Sequence, residues 1–161
     1  MHVALQSIIR AAAYLSLAAL AGTALAAPAA PSTSHPMTIQ VIMSPKAQAK
    51  LQAMGELVKV SSFYDGPPIP SKRKLARGEG LISIAPEDTA ILPPTGGVVS
   101  VKAAIPNDKW GWVSKHFYTI NITSARKAAL DNLLTCPAAS GDLAAAPKAP
   151  IVIACKLIYG E

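Results

Sequence analysis

"MTIQVIMSPKAQAKLQAMGELVKVSSFY", residues 37–64, contains the pattern on which the fold prediction rests. Residues 37–43 are rich in β-branched and apolar side chains, which predicts a strand. Ser44 is a good helix N-cap, the proline after it suits the first helical position, and Gly55 can end the helix. Residues 56–64 then return to strand character. The stretch therefore predicts a strand, a short helix and a second strand.

Five further strand candidates follow, and several of the gaps between them contain Pro, Gly and Asn, which favour turns. They are residues 81–85, 89–92, 98–105, 116–123 and 151–159. A second helix is predicted over residues 124–134, with Ser124 as a possible cap. Six or seven short strands predict a mainly β protein, either a β-sandwich (immunoglobulin-like or transthyretin-like) or a small barrel, with one or two short accessory helices.

The N-terminal 26 residues have the organisation of a cleaved secretory signal peptide. Arg10 precedes an uncharged, Ala-rich run of 16 residues, 11–26, that ends in the small-x-small sequence Ala-Leu-Ala. An uncleaved membrane anchor is the alternative, but 16 uncharged residues fall short of the roughly 20 needed to span a bilayer. We therefore expect a periplasmic or secreted protein with no transmembrane segment after cleavage.

Cleavage after residue 26 leaves a leader and one domain. Residues 27–36, dominated by Ala, Pro, Ser and Thr, are predicted to be disordered, and His35 is expected to have no fixed partner. Residues 37–161 are predicted to form a single β-rich domain. The whole chain has 161 residues and a net charge of +6, so the exported part keeps 135 residues and a charge of +5.

This moderate positive charge indicates which partners to expect outside the cytoplasm. It does not reach the density of a nucleic-acid-binding protein, so no nucleic acid is expected. Lipid headgroups and anionic glycans are the acidic partners available in a cell envelope. A surface that is charged only for solubility is the alternative interpretation.

The two cysteines of the chain, Cys136 and Cys155, both lie in the predicted exported part. An oxidising compartment favours a disulfide between them, and two free buried thiols are the alternative. The bond would close a loop of 18 intervening residues. Closing such a loop in the unfolded chain is worth about 3 kcal/mol. A metal site is not expected, because two distant cysteines without a nearby histidine supply too few ligands.

No catalytic or cofactor motif is present in the sequence. It contains no H-E-x-x-H, C-x-x-C, Walker loop, G-x-S-x-G elbow or dinucleotide fingerprint, and no cofactor is expected. Glu87 and Asp88 are adjacent and are interpreted as part of a turn or strand start. His116, beside two aromatic residues in a strand candidate, is interpreted as an ordinary packed or edge histidine. A convergent site built from scattered residues stays possible in principle.

A basic loop is the first candidate binding surface. Residues 65–78 form a 14-residue connection, longer than the usual 4–6 or so, and prolines stiffen its first half. Its second half carries four cations, and a solvated loop is the alternative to an anion-binding one. The four are Lys72, Arg73, Lys74 and Arg77.

The second candidate is the pair Trp110 and Trp112. In an extended segment both rings point to the same side, where they would offer a stacking surface to a sugar or a partner. Lys109, Lys115 and His116 would add polar contacts. Packing into the core or at a hairpin tip is the alternative.

Two functions remain as hypotheses. The first is a small exported, non-catalytic β-sandwich that binds another macromolecule or an anionic envelope component through the basic loop and the tryptophans. The second is a hydrolase acting on cell-wall or glycan substrates, with His116 or a carboxylate as the base. A structural role without a specific ligand is the third option.

Overall fold

The structure, a computed structural model, describes residues 31–160. The predicted signal peptide and residues 27–30 of the predicted leader lie outside this range. Eleven strands and short helical segments follow one another along the described chain. The strands are β1 Ser32–Ser34, β2 Met37–Met43, β3 Val58–Gly66, β4 Ile82–Ser83, β5 Asp88–Leu92, β6 Gly96–Val101, β7 Ala104–Pro106, β8 Phe117–Ser124, β9 Leu134–Thr135, β10 Ala139–Asp142 and β11 Ile151–Leu157.

The predicted β-sandwich is confirmed. One sheet has the strand order β10-β8-β3-β4, with β5 also paired to β3, and the other has the order β6-β2-β11-β9. A two-stranded ribbon of β1 and β7 completes the described strands. Within residues 31–160 the pairing of β11 with β2 is parallel, and every other ladder is antiparallel.

The core lies between the two sheets and follows the two-residue period of the strands. In β2, every second residue from Met37 to Met43 is buried. The same alternation in β8 buries Tyr118, Ile120 and Ile122 against them. Because one face of each sheet is apolar, the sequence sets the register of each strand.

The first predicted helix is confirmed as α1, Pro45–Met54. The Ser44 hydroxyl accepts a hydrogen bond from the Ala47 backbone N–H at 3.2 Å, as expected of an N-cap. Gly55 ends the helix in the left-handed region at φ 66°. Ala47 and Leu51 are the buried residues of the helix, which is thereby packed on the sandwich.

The second predicted helix, over residues 124–134, is wrong. Ser124 ends β8, Arg126 has a left-handed φ of 57°, and residues 125–133 form an irregular loop. The buried Glu56 carboxylate holds this loop, since it accepts the backbone N–H groups of Lys127, Ala128 and Ala129 at 2.8–3.2 Å. We call residues 125–133 the Glu56 loop.

Glu56 is fully buried, with 0 % exposure, and remains a carboxylate. Burial raises its pKa, but hydrogen bonds from Ala128, Leu57, Lys127 and Ala129 outweigh that effect and lower the pKa from 4.5 to about 2. The charge is therefore stabilised by backbone dipoles. The loop and the carboxylate fix each other in place.

The prediction of a disordered leader is wrong for its second half. Ser32–Ser34 forms β1, whose register pairs Ser32 with Pro106 and Ser34 with Ala104. The backbone N–H of His35 donates to the Lys102 carbonyl at 3.1 Å. An added strand satisfies backbone groups of β7, which composition alone cannot indicate.

The predicted disulfide between Cys136 and Cys155 is confirmed. Cys155 is a buried residue of β11, and Cys136 follows β9, which pairs with the end of β11. The bond therefore closes the chain beside an existing strand ladder. No helix in the described part of the chain is long and apolar enough to cross a membrane.

Candidate functional site

The predicted basic loop is a structured segment that runs along the tryptophan segment. Residues Pro70–Leu75 form a 3₁₀ helix after the prolines. The Ile69 backbone N–H donates to the Trp112 carbonyl at 3.0 Å, and that of Ser114 donates to the Pro67 carbonyl at 2.9 Å. These hydrogen bonds place the basic loop beside the tryptophan segment, so the two candidate binding surfaces of the sequence are neighbours.

Trp112 lies at the centre of this contact. The Lys72 Nζ lies 4.8 Å from the centroid of the Trp112 ring, and the Lys109 Nζ lies 5.7 Å from it. Both distances are within cation–π range. The Trp112 residue is half-buried and packs against the core.

The remaining cations extend the charge outward from this centre. Arg73, Lys74 and Arg77 are exposed on the 3₁₀ helix and just beyond it. The salt bridge found within residues 31–160 joins Lys59 to Glu87 on the sheet, so these cations have no carboxylate partner there. We call Lys72, Arg73, Lys74, Arg77, Lys109 and Trp112 the basic–aromatic surface.

The condition under which both tryptophans would point to one side is not met, because their segment is not extended. Asn107–Trp110 forms the short helix α2, and Gly111 follows it. Trp110 instead stacks between two imidazoles, with ring centroids 4.8 Å from His35 and 3.7 Å from His116. It therefore serves packing, and Trp112 alone belongs to the basic–aromatic surface. His35, expected to lack a fixed partner, has one.

His116 does not have the surroundings of a catalytic base. Its Nε2 lies 2.8 Å from the Trp110 carbonyl oxygen, and its ring is covered by the Trp110 indole. In the part of the chain that the structure describes, the hydrogen bond found for this ring goes to a backbone group. The hydrolase hypothesis thus loses its leading residue.

Asp88 has a structural role. Its Oδ2 accepts hydrogen bonds from the Tyr64 hydroxyl and the Ala103 backbone N–H, both at 2.8 Å. Burial raises the pKa of Tyr64, and the Asp88 carboxylate raises it further. Ala103 has a left-handed φ of 45°, which divides the predicted strand 98–105 into β6 and β7.

An open acidic cleft of about 510 Å³ lies on the outer face of the β3–β8 sheet, and the sequence did not reveal it. Phe63 and Phe117 supply aromatic walls, and Asp65 and Glu79 supply carboxylates. Burial raises the pKa of Asp65, and the charge of Glu79 raises it further. Its residues come from β3, β8, β10 and the turn before β4, so only strand pairing brings them together.

No cluster of three or more His, Cys, Asp or Glu side chains suited to a metal ion occurs in residues 31–160. Searches found no match to this chain among family models, curated proteins or solved structures. Function therefore has to be inferred from the geometry of the surface itself.

Proposed function

We propose that this protein is a small exported, non-catalytic β-sandwich that binds an anionic component of the cell envelope through the basic–aromatic surface. The observation that carries the proposal is the arrangement around Trp112. Lys72 and Lys109 lie near its ring, and further cations extend from the adjacent 3₁₀ helix without carboxylate partners in the described chain. Clustered, uncompensated cations attract polyanions.

Export is the second part of the proposal. Residues 1–26 have the sequence pattern of a signal peptide, and a disulfide joins Cys136 to Cys155. Disulfides persist in oxidising compartments such as the periplasm and the extracellular space. Cell fractionation with mass determination of the mature N-terminus tests this part, and full-length, reduced protein in the cytosol would contradict it.

An anionic glycan suits the basic–aromatic surface better than a lipid headgroup. Trp112 is half-buried and engaged by lysines, so its ring is not free to insert into a bilayer. The charged groups are instead spread along a short helix, where phosphates or carboxylates of a polymer can meet several of them at once. A partner protein with an acidic surface would use the same cations and is distinguished by the test below.

The test compares two variants that lose the same charge from different places. The first changes the four cations of the 3₁₀ helix region to Gln: Lys72, Arg73, Lys74 and Arg77. The matched control changes four exposed lysines elsewhere to Gln: Lys46, Lys102, Lys148 and Lys156.

Binding of the wild-type protein and the two variants is measured at low and moderate salt. The binding partners are envelope extracts, vesicles and a column of heparin, an anionic polysaccharide used as the probe. The first variant should lose about tenfold or more of its affinity for the polysaccharide, and the control should keep most of it, because only local charge density differs. Equal losses in both variants would show that net charge alone is responsible. Retention confined to the protein fraction of the extract would replace the glycan by a protein partner.

A hydrolase acting on cell-wall or glycan substrates is the second candidate, and one observation favours it. Asp65 lies in an open cleft beside Glu79, and its pKa is raised by burial and by that neighbour, as in a general acid. Product formation from isolated cell wall by the wild-type protein, abolished in Asp65→Asn, would support this candidate. Absence of product from the wild-type protein would remove it.

A further inference from the structure

The Glu56 loop lies at the end of the sandwich opposite the basic–aromatic surface. Strand β3 pairs Val58 with Ser124, next to this loop, and pairs Asp65 with Phe117, near the 3₁₀ helix. The seven residue steps between these two pairs span about 23 Å of strand. Any ligand at the Glu56 loop is therefore separate from one at the basic–aromatic surface.

Hydrogen bonds between the backbone and the side chains of Glu56 and Asn132 hold the Glu56 loop in its shape. The Glu56 Oε1 accepts the N–H groups of Leu57 and Lys127, and its Oε2 accepts those of Ala128 and Ala129. At the loop's far end the Asn132 side chain bridges the backbone of the flanking strands β8 and β9. A loop held at both ends loses little conformational entropy when it binds, which favours affinity.

The loop and the chain end beside it expose large apolar side chains. Leu130 is 94 % exposed and Tyr159 is 88 % exposed. Asp131, the residue after Leu130, and Tyr159 line the same cleft of about 400 Å³. Ile158, also exposed, donates its backbone N–H to the Leu133 carbonyl at 3.0 Å. This hydrogen bond joins the C-terminal segment to the end of the Glu56 loop. Large apolar side chains exposed on two adjoining segments indicate an interaction surface.

Cations flank this apolar group. Arg126 and Lys127 are exposed on the loop itself, and Lys50 of α1 lines the cleft. Asp131 is the acidic residue within the loop. Apolar side chains projecting between basic ones are typical of segments that lie in the interface of an anionic membrane.

We propose that the Glu56 loop and residues 158–159 dock on the surface of an anionic lipid bilayer. Leu130 and Tyr159 enter the boundary between headgroups and acyl chains, and the three cations contact lipid phosphates. A bilayer is the occupant that matches both features, because it offers an apolar layer directly beneath a layer of negative charge. This docking uses none of the residues of the basic–aromatic surface.

The experiment measures partitioning of the purified, oxidised protein onto vesicles by sedimentation. One set contains phosphatidylglycerol and phosphatidylethanolamine, and the other contains phosphatidylcholine alone. The wild-type protein should bind the anionic set at low salt. The double variant Leu130→Ser, Tyr159→Ser should partition at least about tenfold more weakly, since two apolar anchors are lost.

The control removes two exposed apolar residues from the outer face of the β6-β2-β11-β9 sheet, Val98 (61 % exposed) and Val152 (57 % exposed), as Val98→Ser, Val152→Ser. It should bind like the wild-type protein. A wild-type protein that does not bind the anionic vesicles would overturn the proposal, as would equal losses in the two double variants.

A Leu130→Trp variant gives a second, direct readout. Its fluorescence should shift to shorter wavelength on anionic vesicles and be quenched by brominated lipid. Two results together would overturn this proposal: the Gln variant of the 3₁₀ helix cations no longer binds vesicles, and the Leu130→Trp variant shows no fluorescence shift. They would show that lipid binds at the basic–aromatic surface. If the protein binds anionic vesicles as described but does not bind the polysaccharide, only the proposed glycan function is contradicted.

Discussion

Replacing Glu56 by Gln should destabilise the protein by about 3 kcal/mol at neutral pH. The carboxylate is fully buried, and its pKa falls from 4.5 to about 2 in the folded chain. Because a tenfold change in proton affinity corresponds to about 1.4 kcal/mol, the ionised form contributes about 3 kcal/mol to the free energy of unfolding. Gln keeps the shape of Glu but directs an NH₂ group at backbone N–H donors, so two hydrogen bonds are lost.

The lowered pKa of Glu56 determines how its contribution to the free energy of unfolding changes with pH. The folded-state pKa of Glu56 is below its ordinary value, so the stabilisation is complete above about pH 5 and is lost as the pH falls through about 2. The difference in unfolding free energy between the wild-type protein and the Gln variant should therefore be largest near pH 7. It should shrink steadily as the solution is acidified.

Urea unfolding followed by circular dichroism at several pH values measures both quantities. Glu87→Gln is the matched control, since that carboxylate forms a 3.4 Å salt bridge with Lys59 at the surface. Its loss should cost less than about 1 kcal/mol. A Glu56→Gln variant as stable as the control at pH 7, or a stability difference that persists unchanged at pH 2, would refute the argument that backbone donors stabilise the charge.

Three further predictions concern stability. Replacing Cys136 and Cys155 together by Ser should lower the unfolding free energy by about 3 kcal/mol, because the disulfide no longer closes its loop in the unfolded chain. Urea unfolding of the variant and of the oxidised protein measures the difference, and a change under about 1 kcal/mol would contradict this role of the bond. Tyr64→Phe should cost about 1–2 kcal/mol, because Asp88 loses one of its two donors, and a neutral effect in thermal unfolding would show that water replaces the hydroxyl. Ser44→Ala should cost about 1 kcal/mol through the lost cap of α1, whereas Ser44→Gly should cost less, and the reverse order would argue against capping.

The sequence predicted those elements whose signals are local. Strand β2 appears with the predicted bounds, Met37–Met43, because it carries β-branched and apolar residues with one face buried. Helix α1 has its cap, its proline and its terminal glycine within eleven residues of each other. The disulfide followed from the number of cysteines and the expected compartment. In each case the deciding residues are close together or few in number.

The elements that were missed depend on distant partners. Nothing within residues 124–134 shows that Glu56, about 70 residues earlier, holds their backbone N–H groups. Likewise β1 forms because β7 offers backbone groups to pair with, and the acidic cleft forms because β3 and β8 are neighbours. For the candidate site, the four basic residues are near one another in the sequence, but the contact of Lys72 with Trp112 depends on how two loops pack.

The parallel ladder between β2 and β11 has a consequence for the order of events during biogenesis. The second strand of the described chain finds its neighbour in the last strand, with Ile39 opposite Ile151 and Met43 opposite Cys155. The β6-β2-β11-β9 sheet therefore stays incomplete until residues 151–157 have been made and have left the ribosome. Contacts between such distant segments slow folding, so a newly made chain lacks a complete second sheet until β11 is available to pair with β2.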